Sequence, residues 1–271
     1  MTLDTNQQIA GHALSMLDLT SLNDDDTEAS IERLCQQALS VTSDGTRHSV
    51  AAICIYPRFI PFAREVLDNL GLYDVRIATV ANFPHGRSNI DHAVKDSKAC
   101  VAYGADEVDV VMPYQALIDG DERNVFNLIA ACKDACGTQA QLKVIFETGV
   151  LKDPELIAKA SDIAIAAGAD FIKTSTGKVP VNATPEAADI MLSRIAAQPR
   201  AVGFKPAGGV KTLEDVKVYF DLVRQHVGEA GLTPTYFRFG ASSLLAALRE
   251  ALEIETDQTP EAATSHTKEQ Y

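Results

Sequence analysis

Along most of the chain, short apolar runs alternate with longer segments in which apolar residues return every three or four positions. A polar lead-in of about a dozen residues has no firm period. Residues 14–20 then read as a first strand, apolar but carrying Asp18. Asn23-Asp24-Asp25-Asp26-Thr27 supplies N-cap chemistry for a helix to about Leu39. Residues 50–56, stopped by Pro57, predict the second strand, and a helical segment follows to about Leu70. Residues 76–83 are the third strand; Ser88, with Asp91 three on, predicts the cap of a helix that puts Ile90, Val94 and Val101 on one face. Residues 107–112 and 142–147 are the fourth and fifth strands, and Asp153-Pro154-Glu155 opens the next helix with proline in its first position. Residues 171–173, 202–205 and 235–240 complete a set of eight.

Most of these strands are apolar along much of their length, as in a parallel sheet covered on both faces. Eight βα units without a dividing linker predict a single-domain α/β TIM (β/α)8 barrel over residues 1–256. Residues 257–271 form a polar tail without a period, which from composition reads as a disordered end. An open doubly wound sheet is less supported, since neither G-x-G-x-x-G in the first turn nor G-x-x-x-x-G-K-[ST] occurs.

Composition narrows the partners. A chain of 271 residues with 24 Lys plus Arg against 37 Asp plus Glu carries a net charge of −13, which argues against nucleic acid and anionic membrane. An anionic substrate would need a local cationic patch. There is no apolar run of ~18 residues and no basic-then-apolar start, so a soluble, cytoplasmic protein is expected. The five cysteines, Cys54 among them, lack C-x-x-C and read as buried apolar residues in a reducing compartment. The histidines do not cluster, so neither a metal nor another cofactor is expected.

Two strands break their own pattern. Phe171-Ile172 runs into Lys173, followed by Thr174-Ser175-Thr176-Gly177-Lys178; Val202-Gly203-Phe204 runs into Lys205, followed by Pro206-Ala207-Gly208-Gly209. A lysine inside a strand must reach water or serve a purpose that outweighs its desolvation. There is also an internal echo: Gly104-Ala105-Asp106-Glu107-Val108-Asp109 matches Gly168-Ala169-Asp170-Phe171-Ile172-Lys173. Equal geometry in the two copies would point Asp109 and Lys173 into the barrel at similar heights. A nucleophilic amine must be unprotonated, and burial or a neighbouring cation lowers a lysine pKa from ~10.4. Lys173 and Lys205 could do this to each other, one reacting and one staying charged, with Asp109 shuttling protons. As a purely structural cluster, two lysines and one acid would leave an unbalanced buried charge. Glu147 reads as a polar lining residue, and Lys143 as belonging to the opposite, stability face.

The later loops suit an anion. Gly208-Gly209 exposes backbone N–H groups with Lys211 close behind, and Gly240-Ala241-Ser242-Ser243 precedes a helical run. These are the loops after strands seven and eight, the usual phosphate position in this fold. Thr176-Gly177-Lys178 adds a third donor loop.

Leu17-Asp18-Leu19-Thr20, Ala105-Asp106-Glu107-Val108-Asp109-Val110-Val111, the lysine stretch from Gly168 to Gly177, and Val202-Gly203-Phe204-Lys205-Pro206-Ala207-Gly208-Gly209 together resemble the bacterial 2-deoxyribose-5-phosphate aldolases. The similarity runs from about residue 12 to 250. It implies a metal-independent class I aldolase that reversibly cleaves 2-deoxy-D-ribose 5-phosphate to acetaldehyde and glyceraldehyde 3-phosphate. By the family pattern Lys173 forms the Schiff base and Asp109 and Lys205 handle protons; composition and spacing left the two lysines undecided. Asp18 and Thr20 are expected to line the substrate. Tyr271 is expected to help proton transfer, as a C-terminal tyrosine is thought to do in the family. Lys211 departs from the arginine expected in some relatives, keeping charge but not bidentate geometry. Phosphosugar and aldehyde are the partners implied, and a homodimer is admitted as the assembly. The alternatives are an aldolase for another sugar phosphate and a phosphosugar binder without turnover.

Overall fold

The structure is a computed structural model in which residues 5–254 are described. Ten strands form: β1 (Leu17–Thr20), β2 (Leu39–Val41), β3 (Arg47–Ser49), β4 (Ala52–Ile55), β5 (Arg76–Ala81), β6 (Glu107–Val111), β7 (Gln141–Ile145), β8 (Phe171–Lys173), β9 (Gly203–Lys205) and β10 (Phe239–Ala241). Eight of them make one parallel sheet in the order β10-β1-β4-β5-β6-β7-β8-β9. Parallel bridges Phe204↔Phe237 and Ala207↔Gly240 join its two edges, so the sheet closes as the TIM barrel expected from eight βα units.

The helices are α1 (Asn6–Leu14), α2 (Glu28–Gln37), α3 (Ile60–Asn69), α4 (Ile90–Ala102), α5 (Tyr114–Ile118) and α6 (Glu122–Cys136). They continue with α7 (Thr148–Leu151), α8 (Pro154–Ala166), α9 (Pro185–Ala196), α10 (Leu213–His226) and α11 (Leu244–Ala251). Side chains alternate across each strand. Leu19, Ile53, Ile77, Val108, Val144, Ile172, Phe204 and Phe239 face outward into the main apolar core under the helices. Ala52, Cys54, Ala78 and Val80 belong to a separate, small apolar cluster on the inner face. Beside that cluster the interior holds buried charged side chains and the ring of Phe171.

Several expectations change. The lead-in is in fact α1, closed by a reciprocal capping box between Thr5 and Gln8, and it buries Ala10, Ala13 and Leu14. Its small apolar face gave a weak period, but the Thr5-x-x-Gln8 spacing was a usable signal. The helix after the third strand is capped by Asn89 rather than Ser88, and α2 by Thr27. Residues 39–49 make an antiparallel β2–β3 hairpin that the sequence pattern merges into its surroundings.

Candidate active site

The internal echo is geometrically real. Gly104 and Gly168 both take positive φ (96° and 95°) just after α4 and α8, a backbone region that glycine enters at no steric cost. Each glycine hands the chain to a strand whose charged residue points inward. The Lys173 amine donates to Asp109 Oδ2 at 2.7 Å, and Lys205 donates to the same oxygen at 2.9 Å. All three side chains are buried.

Around this trio lies a larger network than two lysines and one acid. Lys143 reaches Asp109 Oδ1 at 3.1 Å and also pairs with Glu107. Lys205 bonds Asp18 as well as Asp109. Arg238 spans Asp18 Oδ1 and Glu107 Oε1, each at 2.7 Å. The excess of one cation expected from two lysines and one acid persists in this larger network, where four cations face three carboxylates. Lys143 sits in register with Asp109, below the level of Lys173, as its place at the strand start implies. Its amine nevertheless extends into the network, so it does not belong to a separate stability face. Glu107 and Arg238 are the residues sequence reasoning missed. Glu107-x-Asp109 alternation could have signalled the first, since both must share a face.

Protonation follows from this wiring. Burial pulls the Lys173 pKa down and Lys205 pushes the same way, against the raising influence of Asp109; the net shift is downward. Burial also opposes the charge on Lys205, but Asp109 and Asp18 outweigh it and raise its pKa. Asp109 ionises despite burial because Lys143, Lys173 and Lys205 hold it well below the usual carboxylate range. Loss of the Lys173 proton would leave three carboxylates facing three cations. Cys54 lies on the inner face, its thiol pushed up by burial, and packs as a core residue.

Above the network opens a cleft of about 690 Å³, whose lining includes Lys173. Thr20, Thr176, Gly177, Lys178, Gly208, Gly209, Lys211, Gly240, Ser242 and Ser243, the residues expected to bind substrate and phosphate, all line it. Asp18 does not. It is fully buried and serves Lys205 and Arg238, which corrects its expected contact with substrate. Asp109 and Lys205 lie beneath the cleft floor.

Donor chemistry differs among the three loops. Among the described residues, the N–H groups of Gly209, Ser242 and Ser243 have no acceptor, and no side chain caps α11. Four orphan amides at such a helix start favour an anion. The Gly208 N–H is committed to the Gly240 carbonyl. The third loop is also spent internally: Thr176 N–H donates to Glu147, Gly177 N–H to Asn182 and Lys178 N–H to Thr176 Oγ. The Lys178 amine binds the Leu22 carbonyl at 2.6 Å. This loop is thus held in shape rather than open, which corrects its reading as an amide donor. Glu147 is the anchor: it is buried, in a left-handed backbone (φ 59°), and takes the Thr176 hydroxyl at 2.5 Å. It does not line the cleft as expected. Tyr271 lies outside the described residues.

Comparison with known proteins agrees with this picture. Residues 12–250 match the family model described as DeoC/LacD family aldolase. A Coccidioides immitis structure described as a candidate deoxyribose-phosphate aldolase is 29% identical, with a TM-score of 0.75 over 89% of this chain and 86% of that one. A structure named QR15, an aldolase, is 27% identical, with a TM-score of 0.73 over 89% and 96%. A candidate deoxyribose-phosphate aldolase from Toxoplasma gondii shares the fold, with a TM-score of 0.82 over 92% and 97% at 22% identity. The family match spans nearly the whole described barrel, including both lysine strands, Gly208-Gly209 and the Gly240 to Ser243 loop, and this chain belongs to the DeoC/LacD family of aldolases.

Proposed function

We propose that this aldolase works through a Schiff base and reversibly cleaves 2-deoxy-D-ribose 5-phosphate to acetaldehyde and D-glyceraldehyde 3-phosphate. The observation that carries the reading is the amine of Lys173: buried, of lowered pKa, lining the cleft, and sharing one Asp109 oxygen with a charged Lys205. An amine whose pKa is lowered, in contact with a cation and a carboxylate, is suited to act as a nucleophile with its proton carriers already in reach.

The steps follow from carbonyl chemistry. The Lys173 nitrogen attacks C1 of the open-chain sugar, and loss of water gives an iminium. The Asp109–Lys205 pair takes the proton of the C3 hydroxyl as the C2–C3 bond breaks. The bonding electrons move into the iminium, leaving an enamine on Lys173 and releasing glyceraldehyde 3-phosphate. A proton returned to C2 and attack by water then free acetaldehyde and the amine. We assign the phosphate to Gly209, Ser242, Ser243 and Lys211, and a further proton-transfer role to Tyr271. The test is direct: purified protein given 2-deoxyribose 5-phosphate should release acetaldehyde. Binding without release would make it a phosphosugar binder instead.

A further inference from the structure

The cleft extends past the loops just assigned to phosphate. Ser30, Arg33 and Gln37 of α2 line it too, spaced so that all three share one helix face. The Arg249 side chain of α11 reaches the C-terminal end of α2, donating to the Gln37 and Leu39 carbonyls. Arg33 sits mid-helix, and helical side chains lean toward their own N-terminus. Ser242 and Ser243, at the start of α11, line the same cleft as Arg33.

Arg33 is also unspent. No described residue accepts a hydrogen bond or ion pair from it, although the chain holds 37 Asp and Glu. Its partners at helical pair spacing are Ala29, Ser30, Gln36 and Gln37, none of them a carboxylate. Of the other exposed cations lining this cleft, Lys178 is tied to the Leu22 carbonyl and Lys211 can meet a phosphate only as a point charge, whereas a guanidinium can grip two phosphate oxygens at once.

We infer that Arg33 is the guanidinium of the phosphate subsite, closing from α2 on the phosphoryl group that Gly209, Ser242 and Ser243 hold; this rests on the aldolase reading above. Two measurements on the full chain test it. In the steady state, Arg33→Ala should raise KM for 2-deoxyribose 5-phosphate about tenfold, lowering its advantage over unphosphorylated deoxyribose, with Arg33→Lys in between. In calorimetric titration with inorganic phosphate, which needs no turnover, Arg33→Ala should bind about tenfold more weakly than wild type. Arg123→Ala, which removes the same charge from α6 across the barrel, should leave both values unchanged. Undiminished phosphate affinity in Arg33→Ala, an equal loss in Arg123→Ala, or no phosphate binding by wild type overturns the inference. A tenfold loss of phosphate affinity in a protein that releases no acetaldehyde would uphold the subsite and discard the sugar assignment.

Discussion

Lys173 and Lys205 share one carboxylate oxygen, yet their pKa values move in opposite directions. The difference is Asp18: Lys205 has a second carboxylate and Lys173 does not. The sign of the coupling gives a prediction. The charge on Lys205 pushes the Lys173 pKa down, so Lys205→Met should let it rise toward the ordinary lysine value. The rate of borohydride trapping with acetaldehyde, followed against pH, should then have its acid limb displaced to higher pH. A limb that stays put would separate the two amines electrostatically. At this scale the sequence was informative where a residue contradicted its surroundings. A lysine ending an apolar strand stands out, whereas Arg238, just before the short strand β10, does not. Its worth depends on Asp18 and Glu107, which are distant in sequence, and only barrel closure brings the three together.

Elements were legible in proportion to their period. The barrel strands and long helices read clearly; α1 and the β2–β3 hairpin, short and weakly patterned, did not. Packing between elements was less visible. Gly203 on β9 shows why: a Cβ there would lie 2.3 Å from the ring of Phe171 on β8, so the glycine makes room inside the barrel for that ring. Nothing local to Gly203 announces this. Gly203→Ala should destabilise by about 1–3 kcal/mol through overpacking, measured by denaturant unfolding. Phe171→Leu in the same chain should restore much of the loss, a coupling expected only for side chains in contact. Simple additivity of the two changes would place the ring elsewhere.

Across the whole molecule, the overall charge of −13 says little about the site, because the buried cations and carboxylates of the interior nearly balance one another. The fold itself followed from eight repeats of one unit, a feature that needs no long-range pairing to detect. Stability is tied to the charged interior through Arg238. Asp18 and Glu107 ionise despite burial: Lys205, Arg238 and Lys143 hold Asp18 low, and Lys143 and Arg238 hold Glu107 low. Groups of depressed folded pKa stabilise above their unfolded values near pH 4 and lose that contribution as pH falls through the folded values. Arg238→Met removes a cation from both, so their folded values rise and acid unfolding should begin at higher pH than in wild type. At neutral pH the same change should cost about 3–5 kcal/mol, since it strands two buried carboxylates. Coincident acid transitions would mean that Lys143 and Lys205 suffice alone.

The central claim is that the amine of Lys173, and no other, bonds to the substrate carbon. Borohydride reduction in the presence of acetaldehyde, followed by peptide mass analysis, reads it most directly. A single two-carbon adduct on the peptide bearing Lys173 is expected. An adduct on Lys205, or none on either lysine, would contradict it.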